Sequence, residues 1–150
     1  MRICIYGISN VQKLAITIKG KMPPSKKNSK QIFTNRKTGR PFITSSVKYK
    51  DWETQMLWRL KGTAKIHDIE EVELEFYPPN RVKADLTNKA ESIMDMFVKA
   101  GVLEDDNWFD VPSIYLKFGG IDKANPRVEI SIYHADSNED AVDAVFNNKS

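Results

Sequence analysis

One stretch of the chain limits its fold more than any other. Residues 71–77, Glu-Val-Glu-Leu-Glu-Phe-Tyr, alternate polar and apolar side chains, the pattern of a strand with one buried face. Pro78 and Pro79 stop that strand, because proline offers no ladder donor. A helical period then runs from Thr87 or Asn88 to Ala100, and Gly101 stands where a helix ends in the left-handed conformation. Two more strands are expected at about 111–118 and 127–133, joined by a polar loop containing Gly119, Gly120 and Pro126. A strand, a helix and further strands in this order call for a sheet with a helix packed on it.

The N-terminal half adds three elements. Residues 13–20 alternate and lead into Gly20, and the Pro23-Pro24 pair then fixes an extended loop rich in Lys, Asn and Ser. Residues 31–35 and 41–44 flank the turn Arg36-Lys37-Thr38-Gly39-Arg40, which reads as a basic hairpin. Ser45 or Ser46 caps a helix to about Leu60, followed by Gly62, with Val47, Trp52, Met56 and Leu60 as its expected buried face. Phe33, Phe42, Tyr49, Trp52 and Trp58 read mostly as core aromatics. The fold class is therefore α/β (α+β): one small mixed sheet packed with two main helices, in a single domain. A length of 150 residues and a hydrophobic fraction of 41% suit one domain with a modest core. The expected boundaries are an extension over 1–11, the domain over 12–134 and an acidic tail over 135–150.

The single cysteine, Cys4, excludes an internal disulfide framework and any multi-cysteine zinc site. His67 and His134 are too isolated for a triad or a zinc site. No apolar run approaches the ~20 residues of a membrane span, and the N-terminus lacks the pattern of a signal peptide. The expectation is a soluble cytoplasmic protein.

Charge is divided sharply along the chain. Residues 1–50 carry 12 Lys and Arg and no acid, whereas residues 51–150 carry 11 against 20 Asp and Glu, giving the net +3. Such a chain offers one surface to phosphates and another to cations, or simply a solvated basic face. The phosphate-facing set would be Lys26, Lys27 and Lys30 in the Pro-Pro loop, Arg36, Lys37 and Arg40 in the hairpin, and Arg81 and Lys83 before Asp85.

The acidic segment has a definite shape. At ~100° per residue, Asn88, Glu91 and Asp95 fall within roughly 60° of one another, while Ala90, Ile93, Met94 and Phe97 form a separate apolar face. Asp85 stands at the helix entrance, and Asp105 and Asp106 follow the helix in a loop. Clustered carboxylates raise each other's pKa unless a cation sits among them, and hard oxygen donors suit Mg²⁺ or Mn²⁺. The plain alternative is a helix cap, a solvated face and turn residues.

The stretch DLTNKAESIMDMFVKAGVLEDDNWFD resembles the core motif of the RusA family of Holliday junction resolvases, which has Asp-Leu-Asp-Asn, a helix with Lys and Asp, then Gly and an Asp-Asp pair. MPPSKKNS resembles the family's Pro-Pro-Ser-x-Asn loop, and the resemblance covers roughly residues 12–133. It implies a Mg²⁺-dependent endodeoxyribonuclease, active as a homodimer on four-way junctions in DNA recombination and repair. Prophages often encode such enzymes. By the same resemblance Asp85 corresponds to the first catalytic aspartate and Asp106 to the aspartate of the later loop. Asn88, Asp95 and Asp105 match recurring polar positions.

Two positions depart from the pattern. Thr87 stands where a second acid is expected, and Glu91 where the motif has Lys. The expected catalytic and metal-ligating set is Asp85, Glu91 and Asp106, with Glu91 as a relocated ligand and Asn88, Asp95, Asp105 and Thr87 supporting. The competing expectations are a nuclease for other branched DNA and a noncatalytic DNA-binding relative with a vestigial site. Met94, Met96, Phe97 and Trp108 are offered as pairing positions for a second copy, with core packing explaining them as easily.

Overall fold

The computed structural model describes residues 11–27 and 30–135. The expected extension and acidic tail fall almost wholly outside these residues. In chain order the elements are β1 (Val11–Lys19), β2 (Lys30–Thr34), β3 (Pro41–Ser45), α1 (Val47–Leu60), β4 (Ile69–Tyr77), α2 (Leu86–Lys99), β5 (Ile114–Phe118) and β6 (Arg127–Ala135). The main sheet has four strands in the order β1-β6-β4-β5, and β2 and β3 form a separate ribbon. β6 runs antiparallel to both β1 and β4, while β5 is parallel to β4, so the sheet is mixed as expected. A parallel pair requires a crossover, and α2 supplies it.

Alternation on β4 buries Val72, Leu74 and Phe76, which face Ile132, Ile130 and Val128 of β6 in register. Ile93, Met94, Met96 and Phe97 of α2 close over that surface, joined by Tyr49, Trp52, Met56 and Leu60 of α1 in one core. Gly101 ends α2 as expected, with φ 77°. Its amide donates to Val98 O and that of Val102 to Phe97 O, satisfying carbonyls the helix leaves unpaired. No helix among the described residues is long and apolar enough to cross a membrane.

Three expectations about packing are corrected. Val47 is exposed and Tyr49 takes its place, because Tyr49, Trp52, Met56 and Leu60 recur on one helical face that excludes the first residue. Phe33, Phe42 and Trp58 are exposed: the hairpin that carries the first two stands apart from the main sheet. Met94, Met96 and Phe97 are buried in the core, which removes them as pairing positions, whereas Trp108 is exposed.

Candidate active site

The site is built along α2. Asp85 is its N-cap, with extended backbone, and its Oδ1 accepts hydrogen bonds from the Thr87 amide at 2.9 Å and the Thr87 hydroxyl at 2.7 Å. The Thr87 hydroxyl, then the Thr87 amide, hold the Asp85 carboxyl below the usual carboxylate range; the Asn88 amide and the charge of Lys27 add to them. The residue standing at the family's second acidic position is thus a donor to the first. A depressed carboxylate stabilises the native state above the unfolded pKa, and that contribution is lost as pH falls through the folded value. Asp85→Asn preserves the cap, since Asn caps as well as Asp. We expect it to lower Tm at neutral pH, and the gap from wild type to close on acidification below about pH 4. Calorimetry across that range checks this.

The Pro-Pro loop docks on the polar side of the same helix. Ser92, fully buried, donates its hydroxyl to Pro24 O at 2.7 Å and accepts the Lys26 amide at 3.3 Å. Lys89 Nζ donates to Pro23 O at 2.6 Å. Lys26 then reaches Asp95 at 2.5 Å and Lys27 reaches Glu91 at 3.1 Å. The hydrogen bond to Asp95 is the main reason that the Lys26 pKa lies above its ordinary value. Half-exposed pairs of this kind contribute at most about 1 kcal/mol each. The anchor is the buried Ser92 link, and the lysines add register. Two cations expected to face DNA are therefore directed at two of the expected acidic residues.

The loop after α2 brings Asp106 to the C-terminal half of that helix. Asp105 accepts the Asp106 amide at 2.8 Å and Asn107 Nδ2 at 3.0 Å. Asn107 also bonds Asp110 and accepts the amides of Phe109 and Asp110, which locks the turn. An open cleft of about 380 Å³ is lined in part by Lys26, Tyr49, Glu53, Asp95, Asp105 and Asp106. Desolvation first, then the neighbouring Asp105 and Asp95, raise the Asp106 carboxyl above the usual range. Burial, with Glu53, Asp95 and Glu91 nearby, pushes the Tyr49 hydroxyl up to about 12.

The expected acidic residues thus fall into two groups. Asp85 and Glu91 share Lys27 toward the start of α2, and Asp95, Asp105 and Asp106 share the cleft. Ten residue steps separate positions 85 and 95, a rise of ~15 Å along the helix. Among the described residues, no three His, Cys, Asp or Glu side chains gather closely enough to surround one ion. The donor chemistry still fits a hard divalent cation, because Mg²⁺ takes one or two carboxylates and completes its shell with water. Asp106, disfavoured as an anion by its surroundings, is the carboxylate that such a cation would most relieve.

Sequence reasoning gives no site role to Glu53 or Tyr49. They lie four apart on α1, so they share a face, but nothing local tells which face meets α2. The basic residues are dispersed. Asn35 organises the hairpin turn by accepting the amides of Lys37 and Thr38, and Lys30, Arg36, Lys37 and Arg40 are all exposed. Arg81 and Lys83 are exposed in the segment leading to Asp85.

Comparison with known proteins agrees with this layout. The family profile described as Endodeoxyribonuclease RusA matches residues 13–133. A crossover junction endodeoxyribonuclease RusA of Aquifex aeolicus (strain VF5) is 32% identical over 104 residues, covering 67% of this chain and 77% of that protein. The match spans β1 to β6 and takes in the Pro-Pro loop, α2 and the acidic loop, so the chain belongs to the RusA family of endodeoxyribonucleases.

Proposed function

We propose that the protein is a Mg²⁺-dependent, structure-selective endodeoxyribonuclease that resolves four-way DNA junctions by paired phosphodiester hydrolysis, acting as a cytoplasmic homodimer in recombination and repair. The observation that carries this reading is the acidic row of α2 and its following loop, in a chain of this family, with Asp106 in a cleft beside Asp95 and Asp105. The proposed ligands are Asp85 and Glu91 toward the start of α2, with Asp106 in the cleft beside Asp95 and Asp105 and with Asn88 on the same stripe. A cation would take the one or two carboxylates of one group and complete its shell with water. Mn²⁺ suits the same oxygen donors. When bound, the cation supplies Lewis acidity at the scissile phosphate.

The chain's own residues do the rest. Thr87 keeps Asp85 ionised, and Lys26 and Lys27 hold Asp95 and Glu91 in register with the Pro-Pro loop. Asn107 fixes the turn that carries Asp106. Arg36, Lys37, Arg40, Lys30, Arg81 and Lys83 neutralise phosphates, and two active sites related by two-fold symmetry match a junction with two equivalent strands to cut.

Replacing Arg36, Lys37 and Arg40 together by Ala is expected to weaken junction binding. The slope of log K against log salt should fall in magnitude by about 0.9 for each phosphate that the variant no longer neutralises. Fluorescence anisotropy between about 50 and 200 mM salt reads this; an unchanged slope removes the hairpin from the interface.

The deciding experiment incubates four-way, forked and linear DNA with the protein in Mg²⁺, Mn²⁺ or EDTA. Symmetric nicking of the four-way junction, dependent on metal, supports the proposal, and nicking confined to forks selects a nuclease for other branched DNA. The second reading, a noncatalytic junction binder, has its own support: Thr87 is no carboxylate, and Glu91 already has a cationic partner in Lys27. Binding without nicking in every metal selects it. Sedimentation of the DNA-free protein tests the dimer.

A further inference from the structure

A second cavity, separate from the acidic cleft, opens beside Asp85. It measures about 550 Å³ and lies beyond the carboxyl ends of the parallel strands β4 and β5, where open α/β sheets take their ligands. Phe76, Val82, Leu86, Phe118 and Ile121 make it mainly apolar. Val82, Phe118 and Ile121 are exposed to 76%, 54% and 45%, far more than core residues on this sheet.

Apart from Asn80, the polar side chains of the lining are cationic. Arg81, Lys83 and Lys89 contribute to it, and no acidic residue does. Arg81 and Lys83 are exposed and form no ion pair with the described residues. Lys89 spends its ammonium on Pro23 O and is partly desolvated, so an anion nearby would be welcome there. An apolar floor with a cationic rim suits a ligand with a flat aromatic part and a phosphate. Its volume falls within the roughly 300–1,000 Å³ of small-molecule sites. Sugar-phosphate backbone alone would not need the apolar floor, and an aliphatic ligand would not need the cations.

We propose that this cavity receives one unstacked DNA base next to the scissile phosphate, with the Phe118 ring as its stacking surface and Arg81 and Lys83 on the flanking phosphates. The proposal rests on the nuclease reading above and deepens it. The segment Asn80–Ala84 forms the cavity wall and runs directly into Asp85, so the occupied cavity would fix which phosphate stands before the catalytic row. Bases at the centre of a four-way junction are the least constrained by neighbours, which lowers the cost of extrusion.

The test is a coupling cycle in EDTA, where binding is read without cleavage. Synthetic four-way junctions each carry one abasic nucleotide at a position near the crossover, and affinities are measured for wild type, Phe118→Ala and Ile121→Ala. One abasic position should weaken wild-type binding about tenfold, as loss of a base–aromatic stack does. The same lesion should cost Phe118→Ala little, because the stack is already absent in that variant, and should cost Ile121→Ala less than wild type, because part of the apolar floor is gone. Additive losses at every position, or no position sensitive to base removal, overturn the proposal. So does a Phe118→Ala protein that sediments at half the wild-type mass, which would make the cavity a subunit interface. Failure of the wild type to bind any four-way junction would instead overturn the nuclease reading itself.

Discussion

Asp106→Asn is expected to lower metal-dependent junction nicking on the order of a thousandfold, equivalent to ~4 kcal/mol of transition-state stabilisation. Junction binding in EDTA should survive, because an amide of the same shape leaves the basic surface untouched. A second readout moves the other way. Partial desolvation in the cleft, with Asp105 and Asp95 beside it, raises the Asp106 pKa, so the native state binds this proton more tightly than the unfolded chain does. The native state therefore gains stability as pH falls through that range, and above it the ionised form is a cost. Asn removes that cost, and Tm at neutral pH should equal or exceed that of wild type. A variant that loses activity while keeping Tm marks a group held for chemistry at some expense to stability. Nicking within a few fold of wild type would remove Asp106 from the reaction, and a Tm several degrees lower would make its role structural.

The second large effect is on folding. Phe97 is fully buried on α2, and its carbonyl accepts the amides of both Val102 and Leu103. Phe97→Ala should cost about 3–5 kcal/mol, through lost transfer energy and the cavity left behind. Against a total stability of roughly 5–15 kcal/mol that is a large share, and a fall in Tm of about 10–20 °C should accompany it. Because α2 carries Asp85, Glu91 and Asp95, nicking should fail at temperatures well below the wild-type limit. Urea denaturation gives the free energy directly; a loss under about 1 kcal/mol would mean that the helix is not packed as described.

The parts of the fold that the sequence made legible are those governed by local periodicity. Alternation in Glu71–Tyr77 and the helical stripe ending at Gly101 mark β4 and α2 to within two residues. Both patterns follow from burying one face. The hairpin was legible for its strands but not for its exposure, since Phe33 and Phe42 carry the apolar signal of core residues yet stack on each other and stay half exposed. At the site, motif order placed Asp85 and Asp106 on the correct elements. It could not show that Lys26 and Lys27 turn toward Asp95 and Glu91, nor that Glu53 and Tyr49 of α1 join Asp106. Those are long-range contacts set by how α1, the Pro-Pro loop and α2 pack, and no local pattern encodes them.

The pairing of β1 with β6 fixes where the domain can be handled. Val11 lies opposite Ala135, and Lys19 opposite Arg127 at the other end of the same two strands. Eight strand steps separate those ends, about 27 Å. Tyr77, which pairs with Arg127, is at the far end with the apolar cavity beyond it. A fluorophore or surface tether attached at Val11 or Ala135 therefore leaves that cavity open to DNA. The adjacency of these two residues also makes the domain a natural subject for circular permutation, with a short linker joining them and new termini cut elsewhere.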